Sequence, residues 1–217
     1  MVEKTLRNIF QACGVIAFVL ILYGCQRADQ MPPDPIPDPR VARLTPGKIP
    51  QDLRRLQPWG ATPQEIHFNA FLTGYTYWDN TPPQSKKIAK PVVHKEAGGT
   101  GTYKDPITLA VGHRIEAGKQ TLDFPVGARF YIPALKKYAL VEDTCGDGNT
   151  PQNGPCHSGH KGVPWLDIYI GGDGFAKDAS DICARKVTAI QRIILNPRDD
   201  YEVAVGEIMR STCQSRD

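Results

Sequence analysis

Trp165-Leu166-Asp167-Ile168-Tyr169-Ile170-Gly171-Gly172 is an apolar run with one carboxylate set inside it. Its apolar residues at 166, 168 and 170 alternate with Asp167 and Tyr169, the period of two that marks a strand. A carboxylate turned into an apolar core is costly unless it finds a partner. Leu166, Ile168 and Ile170 are therefore assigned to the core, and Asp167 with Tyr169 to the opposite face, toward water or a groove. The glycine pair that follows ends the strand in a turn.

Working outward, similar short runs predict strands at 66–77, 107–111, 129–132, 138–142, 187–195 and 201–209, separated by Gly, Pro and Asn turns. The run 187–195 carries apolar residues on both faces, as a central strand does. One short helix fits the chain, at 178–185, with Asp178 or Ser180 able to cap its first turn. This pattern predicts an all-β barrel or sandwich with one short helix.

The N-terminus reads as an address. Lys4 and Arg7 precede an apolar run from Ile9 to Tyr23 that stops at Gly24-Cys25. That is the layout of a secretory signal, and the run falls short of the roughly 20 residues of a membrane span. Leu22-Tyr23-Gly24-Cys25 resembles the lipobox of bacterial lipoproteins. Residues 1–24 are then the removed signal, and Cys25 carries the lipid that anchors the protein to a membrane. Gln26 rather than Asp follows, which in a Gram-negative cell implies the outer membrane; an unprocessed box implies secretion. Residues 25–65 are expected to form a tether, because Met31-Pro32-Pro33-Asp34-Pro35-Ile36-Pro37-Asp38-Pro39 lacks the backbone donors of a helix or sheet. A helical turn at 53–59 is the one local element expected there, and the folded domain is placed at 66–213.

Export leaves Cys145, Cys156, Cys183 and Cys213, an even set that predicts two disulfides with three possible pairings. A zinc reading of Cys156-His157 with His160 lacks a paired C-x-x-C, so neither metal nor cofactor is expected. The net charge of +3, from 26 basic and 23 acidic residues scattered along the chain, gives no nucleic-acid footprint. A monomer is expected.

Five blocks in order resemble the double-psi β-barrel superfamily: Asp79-Asn80-Thr81-Pro82-Pro83, the stretch from Ala97 through Gly98-Gly99-Thr100-Gly101 to Ala110, Phe124-Pro125-Val126-Gly127-Ala128, Glu142-Asp143-Thr144-Cys145, and Leu166-Asp167-Ile168-Tyr169-Ile170-Gly171-Gly172. The superfamily includes expansins, related inverting endoglucanases, rare lipoprotein A and membrane-bound lytic transglycosylase A. The likeness spans 66–197 and implies a six-stranded double-psi β-barrel.

The resemblance also implies a site. Asp167 matches the general acid of the endoglucanases and the key carboxylate of expansins and the transglycosylase. Tyr77-Trp78-Asp79 resembles the motif that supplies the general base, and Asp143 matches a further acidic position beside the groove. His113 lies near a histidine of rare lipoprotein A. Two departures stand out: Trp165-Leu166 replaces His-Phe, and Asn80-Thr81-Pro82-Pro83 replaces a Cys-rich stretch after the first Asp. Asp105, His113, Tyr75, Tyr77, Trp78 and Tyr169 complete the candidate binding set, the aromatics being suited to stacking on sugar rings. The function implied is an expansin-like envelope lipoprotein that binds or remodels a wall polysaccharide, either peptidoglycan or a plant or fungal glucan, without hydrolysis. The alternative is a glycoside-cleaving enzyme with Asp167 as acid and Asp79 as base. A fold of this kind hosts both.

Overall fold

A computed structural model describes residues 41–51 and 64–214. The signal, Cys25 and the helical turn expected at 53–59 lie outside the described residues. Among the described residues nine strands run β1 (Val41–Ala42), β2 (Ile66–Tyr75), β3 (Ile107–Val111), β4 (His113–Glu116), β5 (Lys119–Leu122), β6 (Arg129–Ile132), β7 (Lys137–Thr144), β8 (Trp165–Tyr169) and β9 (Ala189–Leu195). Three short helices accompany them: α1 (Pro155–Ser158), α2 (Lys177–Val187) and α3 (Ile208–Ser211).

Six strands close into a barrel in the order β2-β8-β3-β7-β6-β9, with β9 returning to pair with β2. The pairs β2/β8 and β3/β7 are parallel and the other four antiparallel. Every residue of β3 is buried, and Phe68, Phe124 and Phe130 pack edge-on or tilted inside the barrel with Leu72, Leu109, Leu166 and Ile168. Apolar burial on this scale, about 25 cal/mol per Å², is what drives closure.

The predicted strand 66–77 ends at Tyr75 because Thr76 and Asp79 take over the backbone. Asp79 Oδ1 accepts from Thr76 N at 2.6 Å, and Thr76 Oγ1 accepts from Trp78 N at 3.0 Å, a side-chain turn that competes with the ladder. The strand predicted at 201–209 is absent: Ala204 N and Gly206 N bond singly to Lys136 O and Thr100 O, and the end of the segment coils into α3. The buried ammonium of Lys137 holds this segment, donating to the carbonyls of Ala204 and Gly206 and to Ser211 Oγ. Gly101 lies flat on the Lys137 stem with φ +81, where a Cβ would sit 2.3 Å from Lys137 Cδ. The β4–β5 hairpin adds a pair of strands to those expected; Ala117-Gly118 between two equal runs forms its two-residue turn, with φ of 49 and 75.

The folded part begins earlier than 66. Val41–Ala42 pairs in parallel with His67 and Phe68, and Leu44 and Ile49 are buried in the core, so part of the segment expected as tether belongs to the domain. The disulfides are Cys145–Cys156, which joins the end of β7 to α1, and Cys183–Cys213, which joins α2 to the segment after α3.

A strap from Lys87 to Asp105 is fastened to β7 by one fully buried carboxylate. Glu142 Oε1 accepts from Val92 N, Val93 N and His94 N at 3.1, 2.6 and 2.9 Å. Glu142 Oε2 meets His94 Nδ1 at 2.6 Å, while His94 Nε2 meets Asp105 Oδ1 at 2.8 Å. Ionised carboxylates only accept, so both contacts hold together when both ring nitrogens carry protons. Burial pulls His94 down, but its bonds to Asp105 and Glu142 outweigh that and hold the imidazolium above its ordinary value. Burial pushes Glu142 and Asp105 up, and the donors around them outweigh it and leave both lowered. The histidine's contribution is thus full below its ordinary pKa of 6.5 and lost as pH rises through the raised value. That of Glu142 is full above its ordinary 4.5 and lost as pH falls through the lowered one. His94→Gln is expected to destabilise the domain most between pH 4.5 and 6.5 and progressively less as pH rises through the raised value of His94; urea denaturation of both proteins at a series of pH values measures it.

Candidate functional site

Pairing partners share a face of the sheet, so the register alone assembles a site. Thr73 lies beside Asp167, Asp167 beside Ala110, and Ala110 beside Asp143, a single row across β2, β8, β3 and β7 on the outside of the barrel. A bulge in β7 makes the row possible. Leu109 pairs with Val141 but Ala110 pairs with Asp143, so Glu142 is the extra residue. Without it, Ala110 would face Glu142. The methyl of Ala110 between two aspartates leaves room for a cleft.

That cleft has a volume of about 320 Å³ and includes Tyr75, Asp79, Ala110, Asp143 and Asp167 in its lining, with Lys87 and Asp147 also at its walls. The volume falls in the range of ligand sites. The three carboxylates expected to carry chemistry therefore meet in one place, each in a different state. Asp79 is exposed at the rim, with Oδ1 occupied by the amide and hydroxyl of its own turn residue Thr76. Asp143 is buried and receives Ala89 N at 3.0 Å, Thr144 N at 2.9 Å and the Tyr75 hydroxyl at 3.1 Å. Burial raises its proton affinity, and those three donors oppose the rise only in part. Among the described residues Asp167 has one protein donor, the Thr73 hydroxyl, at 2.6 Å from Oδ1. Burial, reinforced by the charges of Asp79 and Asp143, pushes Asp167 up to about 7. It is poised to take or give a proton near neutrality.

The aromatic candidates separate. Tyr75 is in the cleft, its hydroxyl kept protonated by burial and by the Asp143 charge. Tyr169 does not face the groove: it is 2% exposed and packed on Tyr75 with ring centroids 5.3 Å apart. It shares Asp167's face, but this position is covered. Tyr77 and Trp78 stack edge-on at 5.6 Å beyond Asp79, and the Trp78 indole donates to Phe175 O; neither lines the cleft. Asp105 serves the His94 clamp. His113 is buried at the start of β4, and burial lowers its proton affinity, opposed by a bond to the Cys145 backbone. It too stays outside the cleft. His157 pairs through Nδ1 with buried Asp123 at 2.6 Å, and His160 stacks on Phe71.

Three contributors were missed in the sequence. Thr73 and Ala110 matter through register across strands distant in sequence, which no local pattern reports. His94 matters through its two carboxylates. Among the described residues no group of three or more His, Cys, Asp or Glu side chains is arranged to hold a metal ion.

No solved structure matches the chain. A Dictyostelium discoideum protein, DDB_G0273701/DDB_G0273221, is 31% identical over 143 residues, which is 65% of this chain and 56% of that protein. The chain thus spans little more than half the length of this relative. The sequence model of the DDB_G0273701 N-terminal domain matches residues 67–215, a stretch that holds the cleft, the His94 clamp and all four disulfide cysteines. With the barrel and its cleft inside that match, the chain belongs to the DDB_G0273701 N-terminal domain family.

Proposed function

We propose that the cleft binds a wall polysaccharide and that the protein is an expansin-like module that loosens or holds its substrate without hydrolysing it. The observation that carries this reading is the unequal state of the three carboxylates. Inverting hydrolysis needs one protonated acid and a second, free carboxylate to activate water, the two about 6.5–9.5 Å apart. Asp167 fits the first part. Asp143 is committed to three donors, and Asp79 is tied by one oxygen to its own turn. A single proton-exchanging carboxyl beside a hydroxyl-bearing Tyr75 suits recognition of sugar hydroxyls by hydrogen bonds that both give and accept.

One observation favours a second reading, cleavage of the lytic transglycosylase kind. That chemistry works with a single acid because a sugar hydroxyl is the nucleophile, and an acid at about 7 serves it at neutral pH. The likeness to the double-psi β-barrel proteins supports either reading, and the closed six-stranded barrel with two parallel pairs is consistent with that superfamily. The substrate class remains peptidoglycan or a plant or fungal glucan. We place the protein outside the cytoplasm, lipid-anchored through Cys25; two disulfides support an oxidising compartment.

Purified protein is expected to pellet with insoluble peptidoglycan or cellulose and to release no soluble sugar. Asp167→Asn is expected to weaken pelleting about tenfold, the scale of a lost charge-assisted hydrogen bond. Ala110→Leu, which fills the cleft floor, should abolish it. Wild-type affinity in both variants would remove the cleft from consideration; soluble products that vanish in Asp167→Asn would establish single-acid cleavage instead. A second expectation concerns stability. An acid whose folded pKa is raised binds more protons folded than unfolded, so between about 4 and 7 its ionisation erodes stability as pH rises. Asp167→Asn should therefore raise the melting temperature above pH 7 and leave it nearly unchanged at pH 4, as read by thermal denaturation at the two pH values.

A further inference from the structure

The neighbour of the reactive row is an aromatic corner whose purpose the stacking hypothesis does not explain. Trp165 pairs with Phe71 two residues along β8 and β2 from the Asp167–Thr73 pair, on the same face. Its indole meets the Phe71 ring edge-on at 4.7 Å, and Phe71 lies stacked on His160 at 4.2 Å. The loop beneath is closed by reciprocal His160–Val163 backbone bonds of 3.0 Å and by Phe71 N donating to Pro164 O at 2.8 Å. The indole is held from several sides, and its N–H lies 2.8 Å from Thr73 Oγ1.

An indole nitrogen only donates, so Thr73 Oγ1 is the acceptor there. The hydroxyl has one proton of its own, with two acceptors in view: Asp167 Oδ1 at 2.6 Å and Leu166 O at 3.5 Å. The nearer one takes it. Asp167 Oδ1 is then occupied as an acceptor, and no protein donor among the described residues reaches Oδ2. We propose that Trp165 is a positioning residue: through Thr73 it fixes the hydroxyl toward Oδ1 and so keeps the exchangeable proton of Asp167 on Oδ2.

This rests on the reading of Asp167 as the proton-bearing group of the cleft, and it is specific to a chain with tryptophan at 165. The charges facing Asp167 are those of Asp79 and Asp143, with the Tyr75 hydroxyl on Asp143 and Lys87 at the cleft wall. Asp147 also lines the cleft. Among the described residues, the Trp165–Thr73 chain is the one hydrogen-bonded path to the Asp167 carboxyl.

The test is a pH titration by NMR of the whole protein, following the Trp165 indole N–H and the Asp167 side-chain carboxyl carbon. In wild type both resonances are expected to inflect at one midpoint, and Asp167→Asn should flatten the indole curve. Thr73→Val should raise the carboxyl midpoint by about one pH unit, the worth of a hydrogen bond to a charged group. It should also uncouple the indole. Thr73→Ser should restore both behaviours. Trp165→Phe keeps the ring but loses the donor, freeing the hydroxyl to turn toward Leu166 O, and should raise the midpoint by a smaller amount. An indole resonance that stays flat through the wild-type carboxyl titration overturns the proposal even if every variant misfolds, and so does an unchanged midpoint in folded Trp165→Phe. The readout involves no polysaccharide. Coupled resonances in a protein that fails to pellet with any wall material would retain the relay and discard the functional reading.

Discussion

A single extra residue in β7 sets the terms for the rest of this structure. Glu142 sits at a bulge in β7, and the slip acts in two directions at once. It frees the Glu142 side chain to gather three backbone amides and a histidine from the strap. It also turns the next residue, Asp143, into the row that holds Ala110 and Asp167. The strap is bound to both: Lys90 N donates to Glu142 O, and Ala89 N donates to the Asp143 carboxylate. Wall and floor of the cleft are thus fixed by adjacent residues, so neither can shift without the other.

Within the row, charge is managed by the number of donors each carboxylate receives. Asp143 has three, two of them backbone amides, which offset only part of the rise that burial and repulsion from Glu142 impose on its proton affinity. Asp167 has one. Two similar side chains two strands apart, at about 10 Å between backbones, are thereby given different hydrogen-bonding surroundings. The row runs from a carboxylate tied by three donors at β7 to one with a single donor at β8.

Much of this was legible in the chain. The alternation around Asp167 placed it correctly on the outer face, and β3 and β6 have the bounds their composition predicts. The same parity argument misjudged Tyr169, because alternation tells which face a side chain leaves from and says nothing about what later covers that face. The 201–209 segment failed for a related reason: its residues suit a strand, but Lys137 offers its backbone carbonyls a charged partner that no strand neighbour matches. The strand reading of Tyr77 gave way to the Thr76–Asp79 turn, a local competition visible in residue types only after the strand end is known. Thr73, Ala110 and His94 escaped notice because their roles arise from contacts 94, 33 and 48 residues away in sequence.

Closure of the barrel also decides what becomes of the chain that leads into it. Each of its six strands has hydrogen-bonded neighbours on both sides, and where β2 runs ahead of the start of β8 its free edge at His67 and Phe68 is taken by Val41–Ala42. The stretch ahead of the barrel therefore enters the wall as a short seventh stave, held by backbone pairing as well as by the burial of Leu44 and Ile49.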